Sequence, residues 1–166
     1  SGHTVQAIAS GLPPATSAPF TVTVGTPARL RFPTAPSGAT GGTAFAVQPV
    51  VQVTDAWDKP VTISSTAVTL SLQANVAGGL LACNGGAVRT TSAGLASFTG
   101  CAIDRAGSAY RLVASATGLS PAVSPPLDVV AGPATQLAFA VEPGNGMGGS
   151  PLGTQPVVAL LDAGGN

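Results

Sequence analysis

Gln48-Pro49-Val50-Val51-Gln52-Val53-Thr54-Asp55-Ala56 returns 107 positions later as Gln155-Pro156-Val157-Val158-Ala159-Leu160-Leu161-Asp162-Ala163. The same spacing relates Phe32 to Phe139 and Gly41-Gly42 to Gly148-Gly149, and Pro27-Ala28 ahead of Leu30 and Phe32 reappears as Pro133-Ala134 ahead of Leu137 and Phe139. The start of the chain takes part as well. Gly2, Val5 to Ser10, Gly11-Leu12 and Phe20-Thr21-Val22 parallel Gly107, Tyr110 to Ser115, Gly118-Leu119 and Leu127-Asp128-Val129. This alignment requires a small insertion near Ala116-Thr117 and sets His3 opposite about Ser108. The chain therefore reads as three pieces: the end of one repeat over 1–25, a complete repeat over 26–131 and the beginning of a third over 132–166. Such a period exceeds the 20–50 residues of solenoid units. It suits a self-contained sandwich of about 100 residues.

Within 26–131, short β-rich runs alternate with turn residues. Strands are predicted over Ala28–Phe32, Ala46–Thr54, Ala67–Ala74, Gly79–Cys83, Gly85–Thr91, Leu95–Ile103, Tyr110–Ala116 and Pro126–Val130. In Ala67–Ala74 the alternation is strict and puts Val68, Leu70 and Leu72 on one face. No helical period survives across ten residues. The expected fold class is all-β, with immunoglobulin-like β-sandwich repeats in tandem. Phe32, Phe98 and Tyr110 are expected in or at the edge of the core. Trp57, in the Asp55–Pro60 turn, is expected to cap one end of the sandwich, because its copy is Gly164.

Composition narrows the function. Hydrophobic residues make up 45% of the chain, enough for a core, but charged residues only 7%, against about 25% in an ordinary soluble domain. Six basic and six acidic side chains cancel, so neither a nucleic-acid face nor a polybasic lipid-binding run is present. No apolar run reaches the roughly 18 residues of a membrane span. No leader is read at Ser1, as expected of a processed secreted chain or an internal excerpt of a longer one.

Two cysteines, Cys83 and Cys101, have no neighbouring His and are not spaced C-x-x-C, which makes a poor metal or redox pair. The expected state is a Cys83–Cys101 disulfide, between strands lying side by side or across the sandwich, in an oxidising compartment.

The pattern Leu30-x-Phe32, Pro36-Ser37-Gly38, Gly41-Gly42-Thr43-Ala44-Phe45 and Gln48-Pro49-Val50-Val51-x-Val53-x-Asp55-Ala56 resembles the opening of bacterial immunoglobulin-like surface repeats of the invasin type. The second half is similar to them too, through Thr91-Ser92-Ala93-Gly94-Leu95-Ala96-Ser97-Phe98 and Asp104-Arg105-Ala106-Gly107 with Tyr110. The resemblance implies tandem modules of long secreted or cell-surface proteins. It implies stalks, adhesins, surface layers or filaments, and transfers no catalytic residue.

The chemistry-bearing residues agree with that expectation. His3 is the one histidine and recurs nowhere, so no nucleophile–base set can be composed. Gly144–Gly149 lacks the Gly-Lys-Ser/Thr ending of a phosphate loop. Asp55 and Asp58, with Asp104, are weak calcium candidates through their oxygens. The competing reading is turn chemistry, in which Asp bonds nearby backbone. No catalytic residue, cofactor or resident metal is expected. The expected function is a structural module of an extracellular fibre, stalk or filament, self-associating with neighbouring copies or repeats. The alternative is an adhesin or carbohydrate-binding module at the cell surface.

Overall fold

The computed structural model describes residues 2–73 and 78–166. In chain order the strands are β1 (Gln6–Ala7), β2 (Ala15–Thr16), β3 (Arg29–Thr34), β4 (Ala39–Thr40), β5 (Val50–Thr54), β6 (Ala67–Gln73), β7 (Leu81–Ala82), β8 (Val88–Thr90), β9 (Leu95–Ser97), β10 (Ala102–Ile103), β11 (Gly107–Ser115), β12 (Ala122–Val123), β13 (Leu127–Val130), β14 (Gln136–Val141) and β15 (Val157–Leu161). The chain is all-β. Among the described residues no helix is long and apolar enough to cross a membrane.

Residues 26–131 form two main layers. One sheet has the order β3-β5-β9; the other runs β4-β13-β11-β6-β8, with β12 paired to β11. All these pairings are antiparallel except β4 on β13. The alternation of Ala67–Gln73 explains the layering, since Val68 and Leu70 point inward and are buried while their neighbours are exposed. From the facing sheet come Leu30, Val51, Val53 and Ala96, and from β11 and β13 come Tyr110, Leu112, Ala114, Leu127 and Val129, all in one hydrophobic cluster. Each fully buried Leu or Val contributes about 1.5–3 kcal/mol relative to exposure.

Several expectations are corrected. The run Leu95–Ile103 is two strands in different sheets. Gly100, at φ 59°, turns the chain between them, and a Cβ there would meet the Asn84 side chain. Ala46–Pro49 is not strand. Pro49 has no N–H to give a ladder, and the Gln48 side chain bonds the backbone instead, accepting from Cys101 N at 2.8 Å and donating to Phe45 O at 2.8 Å. Ala74, the expected end of β6, lies outside the described residues. Trp57 does not cap the sandwich: it is 76% exposed. Phe98 and Tyr110 are buried as expected, and Phe32 packs at the core edge.

Cys83 and Cys101 are disulfide-bonded. They directly follow and precede Ala82 and Ala102, partners in the antiparallel β7–β10 pair. The bridge therefore joins neighbours side by side and does not cross the sandwich.

Outside 26–131 the structure restates parts of it. β14 and β15 pair with Gln136 opposite Leu161 and Leu137 opposite Leu160, each 107 positions beyond Arg29 opposite Thr54 and Leu30 opposite Val53. Both hairpins bulge at the matching place. Near the start, Ala7 faces Ala15 as Ala114 faces Ala122. The amide of Leu12 reaches the carbonyl of Ala9 as that of Leu119 reaches Ala116. His3 bridges Phe20 as Tyr110 pairs with Leu127. All these pairs differ by 107, so the small insertion expected near Ala116-Thr117 is absent, and His3 stands at the place of Tyr110 and not of Ser108. The sequence reading mismatched them because a polar His in the place of a buried Tyr hides the equivalence.

Candidate functional site

The residues that recur most plainly at the spacing of 107 meet at two turns, each tied to a segment 30 residues upstream. Asp55 directly follows strand β5, and its carboxylate accepts three backbone amides. Oδ2 takes Gly25 N at 3.0 Å, and Oδ1 takes Trp57 N and Lys59 N at 2.9 Å each. Asp162, at the end of β15, does the same. Its Oδ2 takes Gly132 N at 2.7 Å, and Oδ1 takes Gly164 N and Asn166 N at 2.9 Å each. Each donor lies 107 positions from its counterpart. Each aspartate thus ties its own turn to the linker 30 residues upstream.

Backbone amides stabilise the ionised form. The Asp55 carboxyl is held below the usual carboxylate range, chiefly by the amide of Lys59 and against the effect of burial. That of Asp162 is lowered to about 2, chiefly by the amide of Gly132 and then that of Asn166.

Both Asp55 oxygens are turned onto amides, the chemistry of an Asx turn. Asp58 is exposed, sits at φ 62°, and pairs with Arg29 at 3.5 Å. Asp104 accepts from Leu80 N at 2.6 Å and Arg105 N at 2.8 Å. Among the described residues, no three of His, Cys, Asp and Glu gather into a metal-holding group.

The two joints differ at their outer positions. In the downstream one, Asn166 reaches back to the loop before β11: its Oδ1 accepts from Ala106 N at 2.7 Å and its Nδ2 donates to Asp104 O at 2.8 Å. In the upstream one, Lys59 stands where Asn166 does and Trp57 where Gly164 does. A concavity of about 790 Å³ opens there, lined by His3, Val22 to Gly25, Asp55, Trp57 and Lys59. Sequence reasoning passed over Asn166 and the bonding role of Gln48. Gln48 was visible as a repeated residue, and Gln155 repeats its local bond by donating to Leu152 O at 3.1 Å. Asn166 matches a Lys and carried no such signal.

No family model matches this chain, and no curated protein sequence matches it. Among solved structures, it is similar in part to a beta-glucuronidase of Parabacteroides merdae, at 19% identity and a TM-score of 0.46, covering 64% of this chain and 12% of that one. A structure of that enzyme with glycerol in its active site gives 18% and 0.47, over 70% of this chain and 14% of that one. A glycosyl hydrolase family 2 member of Bacteroides cellulosilyticus gives 11% and 0.48, over 75% and 17%. The chain spans less than a fifth of the length of these enzymes. Likeness at this level carries no argument about chemistry.

Proposed function

We propose that the chain is a structural module of a bacterial extracellular fibre, stalk or filament, built from tandem or strand-sharing immunoglobulin-like repeats and without catalytic activity of its own. One observation carries the reading: Asp55 and Asp162 hold the same three amides 107 residues apart. A bond that ties a turn to the linker before it acts on the spacing of successive units, which is a mechanical task.

Three further features support it. The order β3-β5-β9 against β4-β13-β11-β6 fits an immunoglobulin-like sandwich. Tyr110, near the start of β11, donates its hydroxyl to Arg105 O five residues upstream at 3.1 Å, the arrangement of a tyrosine corner. The disulfide suits a secreted or surface protein. In the flanking pieces, positions that 26–131 buries are exposed, and in the proposed array a neighbouring repeat or copy covers them. Leu30 is 5% exposed and its copy Leu137 is 70%; Leu127 is 7% and its counterpart Phe20 is 44%. Faces of that kind draw neighbours.

Negative-stain electron microscopy of the native polypeptide tests the reading. Thin rods or filaments with a regular bead repeat are expected. Compact particles with no axial repeat would overturn it.

A carbohydrate-binding or adhesive role is favoured by one observation, the exposed Trp57 beside the upstream concavity, since sugar faces stack on such rings. Trp57 is the one tryptophan of the chain, so a glycan that quenches its fluorescence saturably would establish this role. An unchanged spectrum across a glycan panel would remove it.

A further inference from the structure

We infer that the residue at position 57 or 164 decides which of two kinds of joint successive repeats form: a turn with Gly there locks into a backbone socket on the preceding repeat, and a turn with Trp cannot. The socket consists of Gly41, Gly42 and the backbone of Asp104 to Ala106. A Cβ on Gly42 would fall 2.5 Å from Gly164 N and 2.6 Å from Ala163 C. A Cβ on Gly41 would strike the Asn166 amide and come within 2.9 Å of an Asp162 carboxylate oxygen. A Cβ on Gly164 would collide with the carbonyl of Asp104. Real Cβ atoms do not approach backbone this closely, so the contact exists only because three glycines meet. Asn166 then closes it with one acceptor and one donor.

The glycine pair of the socket recurs along the chain, but the glycine of the turn that fits it does not. Gly148-Gly149 copies Gly41-Gly42, and Gly149 (φ 79°) keeps the left-handed backbone of Gly42 (φ 71°). Gly148 has no positive φ, and a Cβ there would meet nothing within 4 Å. Nothing in its own surroundings requires glycine, whereas at Gly41 the incoming turn does. The turn after β5 keeps the backbone bonds of its copy, with Asp55 N to Lys59 O at 2.9 Å beside Asp162 N to Asn166 O at 3.0 Å. Yet Trp57 brings the Cβ that the Asp104 carbonyl forbids at 164. Lys59 has no acceptor with which to take an amide as Asn166 takes that of Ala106. The turn's shape is shared; its fit to the socket is not. A turn like that after β5 would be shut out of such a socket, and the order of the two kinds of turn along a longer array would set where it bends. That extension rests on the tandem-repeat reading; the socket itself does not.

The test uses the whole 166-residue chain. Gly164→Trp and Asn166→Lys each transplant the upstream residue into the downstream turn, and amide hydrogen exchange is followed residue by residue by NMR. In both variants the Ala106 amide is expected to exchange about tenfold faster or more, as loss of one net hydrogen bond implies. Amides of Val53 and Leu112 should keep wild-type rates. Wild-type protection of Ala106 in either variant overturns the inference. If Gly164→Trp also loosens Val53 and Leu112, Gly164→Ala decides, since it brings the excluded Cβ and nothing more. Fibre morphology is blind to this readout, so failure here and failure of the proposed function are separate results.

Discussion

Asp55 and Asp162 do their work as carboxylates, and that makes their joints acid-sensitive. The Asp162 carboxyl sits at about 2 in the folded chain, below its ordinary 3.8. A depressed folded value means that the group stabilises the joint above the ordinary value and stops doing so as pH falls through the folded one. Protection of the Gly132 amide should therefore be full above about pH 4 and disappear on the way down to about pH 2. Asp162→Asn should remove that pH dependence and leave Gly132 poorly protected at neutral pH, because an amide nitrogen cannot accept its N–H. The disulfide is the second residue-scale contribution. Its separation of 18 residues is near the 15-residue loop whose closure is worth about 3 kcal/mol. Replacing both cysteines by Ser should lower the thermal midpoint by roughly 12–24 °C at the slope typical of a domain of about 100 residues. Calorimetry with and without reductant checks it, and an unchanged midpoint would show that β7 and β10 hold without the bridge.

At the scale of elements, the hairpins β3–β5 and β14–β15 have the same register and opposite environments. Leu30 and Leu137 are equivalent positions of the two, one buried and one exposed. Leu30→Ala should destabilise the chain by about 2–5 kcal/mol through lost burial and the cavity left behind. Leu137→Ala in the same chain should change it by less than about 0.5 kcal/mol. Urea unfolding of both variants measures the contrast. Comparable losses would mean that the outer hairpin is covered in solution. The turn between Ser92 and Leu95 is a further constraint. Gly94 has φ 75°, and a Cβ there would strike the carbonyl of Val61. Gly94→Ala is expected to weaken the β5–β9 edge, visible as faster exchange of the Val53 amide that bonds Gly94 O at 2.9 Å.

At the scale of the whole molecule, two half-built apolar faces lie at opposite ends of the sequence. Phe20 and Val22 face outward near one end, and Leu137, Phe139 and Leu160 near the other. Their counterparts in 26–131 share one core. The two faces are different surfaces, so contact between them is heterologous and would grow into chains, not close as a dimer. For the 166-residue chain taken by itself, sedimentation velocity should show mass increasing with concentration and no end point at two copies. The double substitution Phe139→Ser and Leu160→Ser should suppress that growth. Chelator, in contrast, should leave the thermal midpoint where it is, because the Asp55 oxygens are already taken by amides. A fall of many degrees would reveal a bound cation.

The sequence alone determined the all-β class and the period of 107, because alternation and recurrence are one-dimensional properties that a chain displays before it folds. It also pointed to a Cys83–Cys101 disulfide, since two cysteines with no neighbouring His suit a bridge better than a metal site. Tertiary structure decided what the neighbours of those residues are. Trp57 proved exposed, because whether a turn residue lies over the sandwich depends on the path of the chain around it. His3 took the place of Tyr110, because strand register is set by backbone hydrogen bonds and not by side-chain likeness. The role of Asn166 appeared only in the fold, since its partners, Asp104 and Ala106, lie 60 or more residues away. Contacts over such distances depend on how two sheets and a linker are laid against one another, and composition and spacing carry no record of that.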